Sequence, residues 1–396
     1  MKKFTTVFLS ICLSTILACA LSSCGGTATS HVQSEDYKPV VSSYAYDQLT
    51  DKEQALYSRM KEALLSFAPA LEEELEEYTR EQINKVVKFV MIDSPEIFWA
   101  NEGGTVYTSE LDGVKTITKY EFKYILSESQ KDEMQGQINT EVKSFLDGVA
   151  SGLSEYERTL AVYEHLIQTT EYDMAVKNKI AGGISDDDTK ASQAITSVFI
   201  SKKTVCSGYS KATQYLLNKL GIFCIYVSGG ARGQGDNHAW NLLQIEGEYY
   251  LLDTTWGNPV STDPAQGKRM TYNYFCLTTD EFNKSHTPND DISLPKCTAT
   301  KYNYFAYNNL LLNEYDMVRI EEIMRDAAEN NEEEVSIKFS GKGVAEQAED
   351  ALFGSEKDIF KILASAVSNG SSLDETRTSH SFDADTNVMC IGLSYK

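Results

Sequence analysis

Apolar positions recur at three- and four-residue steps in some stretches and alternate or run together in others, so the chain reads as mixed helix and strand. Leu56, Met60, Ala63, Leu64 and Phe67 share one helical face, entered through Thr50-Asp51-Lys52-Glu53, a capping-box pattern. A second helical run carries Leu71, Leu75, Tyr78, Val86 and Val90, and Ser94-Pro95-Glu96-Ile97-Phe98-Trp99 breaks it. Val106–Ile125 is strand-rich, with Asp112-Gly113 as a hairpin turn. Ile138, Val142, Phe145, Leu146 and Val149 then predict a helix that ends before Gly152. Ser154-Glu155-Tyr156-Glu157 is another capping box, opening a helix through Ile167.

The next patterned region is denser. Tyr209, Ala212, Leu216 and Leu220 give a helix starting at or near Cys206, and Gly221 stops it. Ile222–Ser228 is a compact apolar strand, followed by a glycine-rich loop over Gly229–Asn237. His238–Ile245 and Tyr249–Thr255 predict an antiparallel hairpin across Glu246-Gly247-Glu248. Thr271–Leu277 reads as a further strand, and Thr278–Pro295 as a surface excursion carrying His286 in a surface or structural role. Beyond it, Met317–Ala327 predicts a helix, Val335–Phe339 a strand, Asp350–Val367 partial helix and Val388–Ser394 a closing strand.

The first residues follow a different logic. Lys2 and Lys3 precede a short apolar stretch, Phe8–Leu21, too short to span a membrane but right for an export signal. Leu21-Ser22-Ser23-Cys24 resembles a bacterial lipobox, which implies that Cys24 is lipidated and becomes the mature N-terminus. The alternative is an ordinary cleaved signal in which Cys24 is incidental. A multiply acylated cysteine would anchor the chain stably on the extracytoplasmic side of the membrane. The polar residues 25–39 form a linker.

Charge narrows the partners. Net charge is −22, and −24 once Lys2 and Lys3 are removed. Such a chain is poorly suited to nucleic acid, whose phosphates need clustered Lys and Arg, and the expected membrane contact is the lipid anchor alone. Once the leader cysteines, Cys24 and Cys206 are set aside, Cys224, Cys276, Cys297 and Cys390 remain. They are even in number and exported, but show no tight disulfide framework. Cys224 reads as core. There is no C-x-x-C and no H-E-x-x-H, so neither a zinc site nor any other cofactor is expected. Asp186-Asp187-Asp188 reads as a solvated acidic run rather than a cation site.

Three residues stand out for chemistry. Lys203–Ala212 reads K-T-V-C-S-G-Y-S-K-A, Gly235–Asn241 reads G-D-N-H-A-W-N, and Tyr250–Pro259 reads Y-L-L-D-T-T-W-G-N-P. Cys206, His238 and Asp253 follow in that order, 32 and 15 residues apart. A cysteine at a helix N-terminus meets unpaired N–H groups that favour thiolate, the nucleophilic form. A histidine and an aspartate on neighbouring strands supply base and orienting group.

Together the three motifs resemble the transglutaminase-like superfamily, in particular secreted bacterial members and the cytokinesis/kyphoscoliosis-peptidase type, over Leu153–Leu277. The resemblance implies an α+β papain-like core, with a cysteine-bearing helix packed on an antiparallel sheet that bears the histidine and aspartate. It also implies Cys206 as nucleophile, His238 as general base and acid, and Asp253 as the residue holding the imidazole. Thr170-Glu171-Tyr172-Asp173 resembles the T-x-Y-D that precedes the cysteine in the family. Neither the tryptophan-bearing context nor the calcium sites of the animal cross-linking enzymes are visible.

Oxyanion stabilisation falls to the Cys206 N–H with Gln193 as a candidate second donor, by analogy with related cysteine hydrolases. Trp240 and Trp256 are candidate cleft-wall residues, Asn241 and Asn237 backbone-fixing ones. Pro95–Trp99 is a candidate substrate contact, a plain inter-unit contact being the alternative.

The expected organisation is leader 1–24, linker 25–39, an N-terminal α+β unit 40–152, the catalytic unit 153–300 and a small C-terminal α+β unit 301–396. The expected function is an exported, lipid-anchored cysteine hydrolase cutting peptide or carboxamide bonds in a peptide or protein substrate, including cell-wall or surface protein. Two alternatives stay open: a protein-cross-linking transglutaminase, and a non-catalytic surface module that binds peptides or cell wall.

Overall fold

The computed structural model describes residues 37–72, 74–233, 235–259, 269–367 and 372–396. The leader Met1–Cys24, with its lipidation candidate Cys24, and nearly all of the 25–39 linker lie outside the described residues.

Thr50 opens α1 (Asp51–Leu65) with the expected capping box to Glu53. The next helix is shorter than its apolar spacing predicts. Ala70–Leu71 leave the helical path as a short strand, β1, and Glu74 has φ 50°, a left-handed value that no α-helix can pass through. Helix α2 therefore starts at Arg80 and ends at Asp93, behind a second capping box of Thr79 and Gln82. Strands β2 (Ala100–Leu111) and β3 (Val114–Tyr124) form the hairpin across Asp112-Gly113, with β1 on the other side of β3. Helix α3 (Glu128–Gly148) follows, capped by Ser127 and Gln130.

Ser154 and Glu157 cap α4 (Glu155–Thr169) as expected. Then come β4 (Glu171–Tyr172), α5 (Met174–Ala181), α6 (Asp187–Ala191), α7 (Ile195–Phe199), and β5 (Lys203–Thr204), which pairs parallel with β4. Asp186 caps α6, and Lys179 reaches both Asp186 (3.3 Å) and Asp188 (3.1 Å), so the acidic run is a capped, paired helix start.

Helix α8 spans Cys206–Lys219. It is followed by β6 (Cys224–Ala231), β7 (Gly235–Ile245), β8 (Glu248–Leu252), α9 (Thr279–Phe282) and β9 (His286–Pro288). The strands form an antiparallel sheet in the order β8-β7-β6-β9. The loop expected over Gly229–Asn237 is mostly strand, because β6 and β7 pair as far as Ala231 and Gly235.

Two expectations fail here. Thr271–Leu277 is not a regular strand; it meets β8 and its end through the Leu251–Leu277 bridge and the Asp253 N–H donating to Tyr274 O at 3.1 Å. Thr278–Pro295 is not a surface excursion, since Phe282 and His286 are buried and β9 closes the sheet edge. The four remaining cysteines are free thiols, with Cys224, Cys276 and Cys297 buried in the core.

A single continuous apolar core runs from Ala45 to Tyr302. Helix α10 (Tyr304–Tyr307) packs against it, Tyr304 stacking on Tyr272 at 3.7 Å. A second core, Leu312–Leu393, is built by β10 (Leu311–Leu312), α11 (Met317–Glu329), β11 (Glu334–Phe339), α12 (Lys342–Phe353), α13 (Asp358–Ala366), β12 (Leu373–Asp383) and β13 (Val388–Tyr395). Its sheet runs β10-β11-β13-β12. Strand β12 gave no sequence signal because it is a largely exposed, polar edge strand. Polar links join the two cores: Lys338 to Glu281 at 2.7 Å, Arg232 to Asp385 at 2.6 Å and Asn273 to Asp383 at 2.8 Å.

Candidate active site

Helix α8 begins at Cys206 without a side-chain cap; Val205, the residue before it, is extended and offers no acceptor. The N–H groups of the first turn therefore face the cysteine end of the helix unsatisfied by any cap, the setting that favours a thiolate or a nearby oxyanion. The turn is tightly seated. A Cβ on Gly208 would lie 1.9 Å from Thr204 Oγ1 and 2.8 Å from Ser197 Oγ, so only glycine lets α8 approach β5 and α7 this closely. Asn241 Nδ2 donates to Ser210 O (2.9 Å) and Ile225 O (3.1 Å), tying α8 to the sheet as expected of a backbone-fixing residue.

His238 lies on β7 and Asp253 just past the end of β8. Asn241 pairs with Leu252, so one step further sets Asp253 opposite Trp240 and diagonal to His238 on the same sheet face. The pair does not face directly across the hairpin, yet the diagonal brings His238 Nε2 within 2.7 Å of Asp253 Oδ2. Both side chains are fully buried. With Nε2 so engaged, Nδ1 is the ring atom left to meet Cys206, and it is buried without a hydrogen-bond partner. The Cys206 sulfur lies 3.9 Å from the Asn237 carbonyl, immediately before His238.

Electrostatics bind the group together. Burial alone would lower the His238 imidazole, but the Asp253 carboxylate and then the Cys206 sulfur favour its charged form, and the pKa is pushed up to about 10. Burial pushes the Asp253 carboxyl up, yet His238 and then His286 outweigh it and hold it well below the usual carboxylate range.

His286 is the residue that sequence reasoning missed. Its Nε2 lies 3.1 Å from the same Asp253 Oδ2, and its Nδ1 2.9 Å from Ser285 Oγ. No local pattern marks it, since β9 has three residues and its pairing partner is more than fifty positions away. Gly229 admits the strand: a Cβ there would sit 2.2 Å from Thr287 O. His238, Asp253 and His286 place their ligand-type atoms within 4.8 Å of one another. Asp253 Oδ2 is the shared partner, at 2.7 Å from His238 Nε2 and 3.1 Å from His286 Nε2. The trio is a hydrogen-bonded chain.

A cleft of about 520 Å³ opens onto Cys206 and His238. Gln193 lines it, although its side-chain Nε2 donates to Thr189 O at 2.8 Å. Pro95, Ile97 and Phe98 also line it, while Trp99 is buried beside them and donates to Leu64 O. Tyr172 of the Thr170–Asp173 tetrapeptide forms another part of the wall. Trp240 and Trp256 are not among its lining residues. They pack instead around the imidazoles, 5.1 and 4.5 Å from His286 by ring centroid. Trp256 N additionally donates to Asp253 Oδ1 at 3.1 Å.

Helix α8 and the β8-β7-β6-β9 sheet form an α+β core of transglutaminase-like type. Residues 143–254 match the transglutaminase-like superfamily model. The chain is 27% identical over 166 residues to kyphoscoliosis peptidase of Mus musculus, covering 38% of this chain and 24% of that protein. To the Homo sapiens protein it is 27% identical over 165 residues, covering 37% and 24%. The match thus spans about a quarter of the length of those relatives. A solved TGase structure is similar at 18% identity and TM-score 0.29, covering 40% of this chain and 46% of that one.

Proposed function

We propose that the chain is an exported, lipid-anchored cysteine hydrolase that cleaves peptide or carboxamide bonds through a thioester. The single observation that carries this reading is the 2.7 Å contact of His238 Nε2 with Asp253, which leaves an unpartnered Nδ1 beside the thiol at the uncapped start of α8. Cys206 Sγ attacks the carbonyl carbon, and the first-turn N–H groups of α8 stabilise the oxyanion. The C–N bond breaks as His238 gives its proton to the departing amine. His238 then takes a proton from water, which attacks the thioester and frees the acid and the thiol. Asp253 holds the imidazole in the tautomer that places the working nitrogen at the sulfur.

Iodoacetamide alkylation of Cys206 at neutral pH, followed by mass spectrometry, tests the pair. The rate is expected to fall at least about tenfold in His238→Ala, since a positioned base contributes about 10²–10⁴-fold. An equal rate in the two proteins would instead favour a binding module. Amine incorporation measured beside ammonia release separates hydrolysis from cross-linking. The anchor rests on the apolar run before Leu21-Ser22-Ser23-Cys24. Metabolic labelling with palmitate is expected, and Cys24→Ser is expected to abolish it.

A further inference from the structure

The net charge of −22 predicts a surface that repels anions, but the cleft reverses that sign. Lys88, Lys123, Lys177, Lys190 and Lys211 all line it, against one carboxylate among the described lining residues, Glu102. The five lysines come from five separate elements, α2, β3, α5, α6 and α8, so the cleft gathers them from across the fold instead of from one helix face.

Their pairing is incomplete. Lys88 meets Asp291 at 2.6 Å. Lys211 stands 3.9 Å from Glu102, and Lys190 is 3.7 Å from Asp187, whose side chain is 97% exposed and mostly hydrated. Lys123 and Lys177 have no ion-pair partner among the described residues. Cations gathered in a concave site bordered by low-dielectric walls focus their field into it. At physiological salt, screening acts over about 8 Å, so charges within one cleft still reach a bound ligand. Phe98, Tyr172 and Tyr226 add apolar surface to the same wall.

We propose that this cleft selects an acidic peptide, one whose carboxylates flank the bond presented to Cys206. The proposal deepens the hydrolase reading and rests on it. Peptide is favoured over other polyanions because the cysteine site is suited to a carboxamide and the wall combines ammonium groups with aromatic rings, Lys211 Nζ lying 5.4 Å from the Tyr226 ring centroid.

Binding is measured separately from reactivity, by fluorescence anisotropy of fluorescein-labelled oligoglutamate on the full-length Cys206→Ala chain, which keeps every cleft charge. Oligoglutamate is expected to bind and to weaken as salt is raised, while labelled oligolysine and oligoserine bind at least about tenfold more weakly, 1.4 kcal/mol. Adding Lys123→Gln with Lys177→Gln is expected to weaken oligoglutamate about tenfold; Lys342→Gln with Lys361→Gln, exposed on α12 and α13, is expected to leave it unchanged. Oligolysine binding best, salt-independent binding, or equal loss from both lysine pairs would each overturn the proposal. So would a dextran sulfate probe that outcompetes oligoglutamate while peptide charge makes no difference. Failure of His238-dependent alkylation, measured in the cysteine-bearing chain, would sink the hydrolase reading and leaves the anisotropy result to be judged by itself.

Discussion

Asp253 Oδ2 accepts from two buried imidazoles at once, His238 Nε2 at 2.7 Å and His286 Nε2 at 3.1 Å. Trp256 N donates to the other oxygen at 3.1 Å, so the carboxylate is fixed from three directions. Hydrogen bonds to a charged group contribute about 1.5–3 kcal/mol, about ten- to a hundredfold in rate. His286→Phe is therefore expected to slow Cys206 alkylation by about that factor while the protein remains folded by circular dichroism. A rate equal to wild type would make His286 a packing residue only.

Asp253→Asn removes the charge and offers the imidazole an amide. The ring then settles in the wrong tautomer, and turnover is expected to drop by on the order of 10⁴, as when the orienting aspartate of a serine protease is amidated. Single-turnover release of amine from a peptide substrate measures it.

The shifted groups also set a pH dependence of stability. His238 is raised to about 10, so its contribution is complete below its ordinary value of about 6.5 and is lost as pH climbs through about 10. Asp253 is lowered, so its contribution is complete above about 3.9 and is lost as pH falls below that toward its folded value. Urea denaturation from pH 5 to 10 is expected to show wild type losing more stability than His238→Gln on the alkaline side. Parallel curves would contradict the shift.

Gly208→Ala forces a Cβ into Thr204 Oγ1 and Ser197 Oγ. Overpacking of this kind costs about 1–3 kcal/mol. Thermal unfolding is expected at a lower temperature, together with slower Cys206 alkylation, because the same turn carries both residues.

Lys338, on β11, is 5% exposed and ion-paired at 2.7 Å with Glu281, whose carboxyl burial would raise and Lys338 then draws below its usual range. Lys338→Met strands a charge. Its cost is expected to fall below the about 3–5 kcal/mol of a fully buried pair, since the Glu281 side chain stays 28% exposed. The double variant with Glu281→Gln, measured by chemical denaturation, is expected to recover part of that loss.

How far the sequence reached follows from the range of each interaction. Capping boxes at Thr50–Glu53 and Ser154–Glu157 are legible because both partners lie within one turn, and Thr79–Gln82 carries the same local signal. The start of α8 at Cys206 was local too, set by apolar spacing and Gly221. Alternation within one hairpin brought His238 and Asp253 to a common region, but the exact diagonal depended on a two-residue turn at Glu246-Gly247, where both φ angles are positive. The second partner of Asp253 could not be read, because His286 arrives on a three-residue strand whose place is fixed by Gly229. The cluster of cleft lysines is also invisible along the chain, scattered over more than a hundred residues and outnumbered by acidic neighbours. Short-range spacing determined which helices and strands form and which residues have the chemistry. Only long-range packing, which pairs β9 with β6 and brings α2, β3, α5, α6 and α8 to one cleft, decided what surrounds that chemistry and the sign of its charge.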